Sequence, residues 1–272
     1  MNAQPCRLYI FTGKGGVGKT TLSKAFVRHL NEQGHEAIYL TFRGNAMGES
    51  NPGTSEIQHK GIKEVALDLE ECARGYMERR LSSKMIASWI VKTPFFRALM
   101  NMVPGFNYLI FLGKILEMGK ADNNLIVVLD APASGHALTM VESTTNFQQI
   151  FESGVIFEDA GKMLSRLNDK AYTKIHVVSL PSLMSWQEAI ELKSGLATRT
   201  PVDVHITVNN CLYPLVADQM NDLPTGLREK ASNEKQLIDE NQSQMHCILP
   251  HSLSSDPTSI ELDLVGSLSK LI

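Results

Sequence analysis

A glycine-rich run near the amino end combines lysines and threonines in a spacing that could bind phosphate. Residues 13–20 read GKGGVGKT and fit the pattern Gly-x-x-x-x-Gly-Lys-Ser/Thr, with an apolar run before it and a helical pattern from Thr21 to Leu30 after it. Glycines let successive backbone N–H groups converge on phosphate oxygens, and the following helix adds the positive end of its dipole. The pattern predicts a nucleotide-binding loop.

Each residue of this loop has a predicted role. Lys19 is expected to place its charge on the β- and γ-phosphates, and the Thr20 hydroxyl is expected to bind Mg²⁺. A glycine-rich turn that matches by chance is the alternative. The predicted nucleotide contacts are Gly15, Gly16, Val17, Gly18, Lys19, Thr20 and Thr21.

A second lysine, Lys14, follows the first glycine of the loop. Cradling phosphates within one subunit does not require it. A flexible cation on the exposed rim could instead reach a nucleotide held by a facing subunit and neutralise transition-state charge, as a finger supplied in trans does. This reading implies a face-to-face dimer, whereas the alternative is an ordinary solvated lysine.

Asp130 is the acidic residue best placed to serve this loop. It ends the apolar run LIVVLD at residues 125–130, where an acid could hold Mg²⁺ through water beside the phosphates. The alternative is that it caps a helix after a buried strand. The predicted catalytic residues are therefore Lys14, Lys19 and Asp130, with Thr20 and Asp130 at the metal.

Short apolar runs alternate with helical patterns along the whole chain, which favours a doubly wound, mostly parallel sheet in one domain over residues 1–272. Two helical excursions, at approximately 70–120 and 141–170, predict an inserted helical subdomain, with a short strand possible at 62–67. The predicted strands are RLYIF (7–11), EAIYLTF (36–42), LIVVLD (125–130), KIHVVSL (174–180), DVHITVNN (203–210) and MHCIL (245–249).

Composition limits the partners and the compartment. The net charge of −3 does not indicate a nucleic-acid-binding protein. The acidic terminal helical pattern and the interrupted segment 95–118 argue against a direct membrane anchor. Scattered cysteines without a Cys-x-x-Cys pair favour reduced, buried thiols, and with no readable secretory leader we expect a cytoplasmic protein. They are Cys6, Cys72, Cys211 and Cys247.

The loop KGGVGKTT resembles the deviant Walker A signature of the family that includes MinD, ParA, the nitrogenase iron protein, the arsenite-pump ATPase ArsA and the guided-entry ATPases for tail-anchored proteins. Further segments resemble the ArsA and guided-entry branch: LDAPASGHAL (129–138) its switch II, VPGFNYLIFLGKILEMGK (103–120) its Pro-Gly helix, VALDLEECARGY (65–76) its Asp-Pro stretch, and LPSLMSWQEAIEL (180–192) its Pro-Glu helix. The resemblance covers nearly the whole chain.

This resemblance implies an ATPase that uses ATP and Mg²⁺ and works as a homodimer or as a heterodimer with a paralogue. It implies that Gly135 brings a backbone N–H near the γ-phosphate and that Asn209 hydrogen-bonds adenine, although a turn-forming Asn209-Asn210 pair is the alternative. His136 is expected to be structural. A hydrophobic client or membrane-protein partner is implied for the helical region, where Phe95, Phe96, Met100 and Met102 lie close in sequence.

The chain departs from that branch at three points. Arg43, followed by Gly44-Asn45-Ala46, stands where the branch has the aspartate that positions the attacking water, and a cation cannot accept the hydrogen bond of that water. We therefore expect slow hydrolysis, or a regulatory subunit paired with an active paralogue. The cysteines that hold interfacial zinc are missing, which predicts no zinc. The helical segment after switch II is short.

Overall fold

The computed structural model describes residues 4–43, 55–59, 61–94, 96, 98, 102, 105–150 and 155–272. The strands are β1 (Leu8–Gly13), β2 (Ala37–Phe42), β3 (Ser55–His59), β4 (Ile62–Leu67), β5 (Ile126–Ala133), β6 (Thr173–Ser179), β7 (Val204–Cys211) and β8 (Met245–Pro250). The α-helices are α1 (Lys19–Glu32), α2 (Leu69–Leu81), α3 (Lys84–Lys92), α4 (Phe106–Ala121), α5 (Ser134–Ile150), α6 (Val155–Leu167), α7 (Leu183–Ala197), α8 (Tyr213–Val216), α9 (Thr225–Asn241) and α10 (Pro257–Val265).

The described strands form one sheet in the order β3-β4-β2-β5-β1-β6-β7-β8. All neighbours pair in parallel except β3 and β4, which are antiparallel. The α/β fold with a mostly parallel sheet predicted from the sequence is confirmed, including the short strand at 62–67. The sequence prediction missed β3, an edge strand.

The central strand β1 is buried along its whole length, because helices cover both faces of the sheet. Leu8 and Ile10 point to a core shared with α2, α4 and α7. The intervening Tyr9 and Phe11 point to a second core beneath α1 and α10. This alternation follows from the two-residue period of a strand and fixes β1 between two apolar layers.

Helices α2, α3 and α4 lie where the sequence predicts the first helical excursion, and α6 lies within the second. Asp68 caps α2 by accepting a hydrogen bond from the backbone N–H of Glu71 at 2.8 Å. At the end of β2, Phe42 stacks on Phe111 of α4 with ring centroids 4.3 Å apart. This contact joins the helical region to the carboxyl end of β2.

Burial divides the apolar residues that the sequence grouped as client contacts. Phe96 is buried in the core, whereas Met102 is exposed. Phe95 and Met100 lie outside the described residues, as do Gly44, Asn45 and Ala46.

The four cysteines are buried free thiols, as the sequence predicted. Burial raises the pKa of the Cys72 and Cys211 thiols to about 12, so these sulfurs stay protonated at neutral pH. Among the described residues, no helix is both long and apolar enough to cross a bilayer.

Candidate functional site

The glycine loop connects the carboxyl end of β1 to α1, between the ends of β5 and β6. Gly13 has φ +143°, and a Cβ there would lie 2.3 Å from the Val178 carbonyl oxygen. Gly18 has φ +89°, and a Cβ there would lie 2.5 Å from Asn209 Nδ2. The loop therefore needs glycine at both of these positions for conformation and for space.

The loop is held at its centre and open at its rim. Val17 is buried in the core beneath α1, whereas Lys14, Gly15 and Gly16 are exposed. Lys19 Nζ reaches back to donate a hydrogen bond to the carbonyl oxygen of Lys14 at 2.8 Å. Burial lowers the pKa of Lys19, and the nearby Asp130 opposes that shift. The rim residues are exposed, so an anion can approach their backbone.

Asp130 lies on β5 next to the first turn of α1. Its Oδ2 accepts a hydrogen bond from the Thr20 hydroxyl at 2.6 Å and a second from the Tyr39 hydroxyl at 2.8 Å. Tyr39 comes from β2, and burial, reinforced by the negative charge of Asp130, raises its pKa. Tyr39 therefore stays protonated and donates. Tyr39 was not among the residues predicted from the sequence.

Lys19, Thr20 and Asp130 share one open cleft of about 250 Å³, lined also by Thr41, Phe42, Ala131 and Pro132. A hydroxyl oxygen and a carboxylate oxygen in contact form the donor set that Mg²⁺ takes when phosphates and water supply its other ligands. The described residues contain no cluster of three or more His, Cys, Asp or Glu that could hold a metal without such help. The chemistry of the cleft is thus compatible with a nucleotide-bound Mg²⁺, and Thr20 and Asp130 are the residues that could hold it, directly or through water.

Lys14 extends away from this cleft. Its Nζ lies 2.6 Å from Oε1 of Glu188 on α7, and both side chains are about half exposed. The other carboxylate oxygen of Glu188 is buried and has no hydrogen-bond partner among the described residues. This ion pair joins the loop rim to the helix that the sequence analysis likened to the Pro-Glu helix, but the pair itself was not predicted.

Asn209 lies at the end of β7, behind the loop. Its Nδ2 donates a hydrogen bond to the Val17 carbonyl oxygen at 3.0 Å, and the residue is buried. The next residue, Asn210, is exposed in the left-handed region at φ +65°. Contact with adenine stays a prediction for Asn209, while its contact with the loop is direct.

The remaining predicted residues lie in α1, in α5 and directly after β2. Thr21 is half-buried in α1, and Gly135 is exposed in the first turn of α5, with no atom within 4 Å of a Cβ built on it. His136, beside it, is also exposed. Arg43 directly follows β2 and donates its backbone N–H to the Leu67 carbonyl at 2.9 Å.

A glycine loop between a central parallel strand and a helix, with an aspartate on the adjacent strand, defines the P-loop class of nucleotide-binding proteins. Residues 6–43 match the family model described as Anion-transporting ATPase. Over 93% of its length the chain is 25% identical to the "Arsenical pump-driving ATPase" of Escherichia coli and 26% identical to that of Acidiphilium multivorum. Over 70% it is 22% identical to "ATPase BagA" of Mycobacterium tuberculosis.

These comparisons support the resemblance to the ArsA ATPase family that the motifs predicted, at low identity. It spans 42% of the length of the Escherichia coli and Acidiphilium relatives and 61% of the Mycobacterium relative. The family model covers the glycine loop, α1 and β2, so the matched segment includes Tyr39 and Arg43.

Proposed function

We propose that this chain binds ATP with Mg²⁺ and hydrolyses it as a dimeric switch. The observation that carries the proposal is the convergence of Lys19, Thr20 and Asp130 on one cleft beside a loop of exposed backbone amides. Lys19 would neutralise the β- and γ-phosphates, and Thr20 and Asp130 would hold Mg²⁺, with Asp130 acting through water. When bound, the metal would neutralise phosphate charge.

In the proposed dimer, Lys14 serves the nucleotide of the facing subunit. Its position supports this role, because its side chain is half exposed on the loop rim and forms a surface ion pair with Glu188. Such pairs contribute at most about 1 kcal/mol. The charge of a triphosphate would therefore displace Glu188 readily. Gly135, in the exposed first turn of α5, is proposed as the amide that senses the γ-phosphate.

Closure of the dimer is proposed to move the helical region that binds a hydrophobic client or membrane-protein partner. The stack of Phe42 on Phe111 supports such coupling, because Phe42 also lines the nucleotide cleft. A change at the γ-phosphate therefore has a packed contact through which it could shift α4. Four buried free thiols favour the cytoplasm as the compartment.

The test separates binding from turnover and from assembly. ATP affinity, steady-state phosphate release and light-scattering mass are measured with no nucleotide, with ADP and with ATP. Lys19→Ala should abolish all ATP-dependent changes, because it removes the cation at the β- and γ-phosphates. A wild-type mass that ignores nucleotide would contradict the switch, and absence of ATP binding at millimolar concentration would contradict the whole proposal.

A second candidate is a regulatory subunit that binds ATP but turns it over weakly, as a heterodimer with an active paralogue. Arg43 favours this regulatory role, because it directly follows β2, whose residues Thr41 and Phe42 line the cleft. In that case Arg43→Asp should raise turnover at least ten-fold by restoring an acceptor for water, and Arg43→Asn should raise it less. Wild-type turnover typical of intact relatives, unaltered by either change, argues against this candidate.

A further inference from the structure

Helix α3 presents an apolar face to solvent. Met85 is 81% exposed, Trp89 69% and Ile86 50%, while Ala87 and Val91 of the same helix are buried against the fold. At 100° per residue the three exposed side chains lie within an arc of about 100°. One side of the helix thus packs on the fold, and the other side exposes a continuous apolar stripe. A surface helix without an external partner ordinarily has polar residues on its solvent face.

The charged residues of α3 and of the segment that joins it to α2 are all positive. Residues 79–94 read RRLSSKMIASWIVKTP, with four cations and no acid. Lys84 and Lys92, at the two ends of α3, are exposed and form no ion pair with another described residue. Arg79 and Arg80, in the last turn of α2, are paired with Glu117 and Asp159. The two lysines are therefore available to an external anion.

The side chains on the exposed face of α3 suit a membrane interface. A tryptophan with methionine and isoleucine on one face, bordered by lysines, is the arrangement of helices that lie in the plane of a membrane interface. The indole suits the boundary between headgroups and acyl chains, and long lysine side chains reach the phosphate level from a shallow position. A purely apolar protein groove would leave the two lysine charges without complement.

We propose that α3 docks this protein on an anionic lipid surface, with Met85, Ile86 and Trp89 inserted at the interface and Lys84 and Lys92 on lipid phosphates. The site goes beyond the ATPase function and uses none of the nucleotide-binding residues. It is a reversible peripheral contact and differs from the anchor that the sequence analysis argued against, because a nine-residue helix of about 13 Å buries only a short stripe.

The chain carries its own reporter for this contact. It has two tryptophans, and Trp186 is only 4% exposed, so a change in emission on vesicle binding must come from Trp89. Full-length protein is titrated with vesicles of phosphatidylcholine alone and with vesicles containing phosphatidylglycerol. We expect a blue shift and cosedimentation with the anionic vesicles only, both reversed by high salt.

Matched variants assign the effect to α3. Removing two charges with Lys84→Gln and Lys92→Gln should weaken binding to the anionic vesicles about five-fold per lysine. The double change Lys170→Gln and Lys235→Gln alters net charge equally outside α2 and α3 and should have little effect. Met85→Ser should weaken binding, whereas Leu253→Ser, at a residue 86% exposed outside α3, should not. Trp89→Phe should abolish the emission shift.

Four results would overturn the proposal. The first is no binding to either vesicle, and the second is equal binding to both compositions. The third is equal weakening by the Lys170 and Lys235 changes. The fourth is an emission shift of Trp89 with a hydrophobic helical peptide while vesicles give none, which would make α3 a protein-binding face. Nucleotide binding by the same samples confirms that each variant is folded.

Discussion

At the level of single residues, Tyr39 changes how Asp130, the aspartate proposed to hold Mg²⁺, is understood. A tyrosine on a buried strand would ordinarily be read as core, yet its hydroxyl donates to Asp130. Together with Thr20 it fixes the carboxylate from two sides. Because both donors reach the same oxygen, rotation of the carboxylate would break both hydrogen bonds.

Tyr39→Phe tests this positioning role. Loss of one hydrogen bond to a charged acceptor costs about 1.5 to 3 kcal/mol. We expect turnover to fall about ten-fold or more in the presence of Mg²⁺, because the carboxylate is less well oriented toward the metal. Binding of ATP without metal should hardly change. Equal losses with and without Mg²⁺, measured by calorimetric titration, would mean that Tyr39 only supports the fold.

The pair of Lys14 and Glu188 predicts opposite effects of two substitutions. Lys14→Ala should lower turnover by at least ten-fold with little loss of ATP affinity, because the proposed role of Lys14 is in the facing subunit. Glu188→Gln should release Lys14 and favour ATP-dependent dimerisation by up to about five-fold, since an exposed pair contributes at most about 1 kcal/mol. Light scattering and phosphate release measure the two effects. Identical effects of both changes would contradict this role for Lys14.

At the level of elements, β7 braces the glycine loop through Asn209. The side chain is buried, and its amide donates a hydrogen bond to the Val17 carbonyl oxygen. It lies so close to position 18 that only glycine fits there. A brace of this kind should affect every ligand that the loop binds, whereas an adenine contact should affect adenine nucleotides alone.

Asn209→Ala distinguishes the two roles. If Asn209 braces the loop, its loss should weaken the binding of ATP, GTP and inorganic tripolyphosphate by similar factors, about five- to ten-fold for one hydrogen bond. If Asn209 instead hydrogen-bonds adenine, the affinity for ATP alone should fall. Competition binding with a fluorescent nucleotide gives the three affinities, and Asn210→Ala is the neighbouring control.

Local patterns predicted the elements, and contacts distant in sequence were missed. The loop and its flanking strand and helix could be predicted because glycine spacing and apolar runs lie within about twenty residues. Strand β3 was missed because SEIQH has neither an apolar run nor strict alternation, and its pairing with β4 supplies what its own sequence lacks. The Lys14–Glu188 pair joins positions 174 residues apart, which no local pattern encodes.

At the level of the whole molecule, three histidines on neighbouring strands make stability depend on pH. His176, His205 and His246 lie together, with the His205 and His246 rings 4.0 Å apart. His176 and His246 donate from Nε2 to the carbonyl oxygens of Leu271 and Lys270. Burial and mutual repulsion lower the pKa of His205 to about 4 and that of buried His176 well below 6.5. Lys174 on β6 adds to both shifts.

Thermal unfolding should therefore occur at lower temperature in acid. The unfolded chain takes up protons near pH 6.5, before the folded protein does, so stability is complete above that pH and falls as the pH drops toward 4. We expect Tm to decrease between pH 7 and pH 5, and to decrease less in His205→Gln. His35→Gln, outside the cluster, should behave as wild type. An unchanged pH dependence in His205→Gln would exclude the cluster as the cause.

Helix α1, which carries Lys19 and Thr20 in its first turn, contacts α10 at its other end. Arg28 of α1 and Glu261 of α10 form an almost fully buried ion pair at 2.9 Å, and Leu264, Leu268 and Leu271 pack in the same layer. Cleavage after β8 would take a carboxylate from Arg28 and uncover the apolar side of α1. By thermodynamic linkage, nucleotide bound at one end of α1 should protect residues 251–272 from proteases, and loss of those residues should weaken phosphate binding.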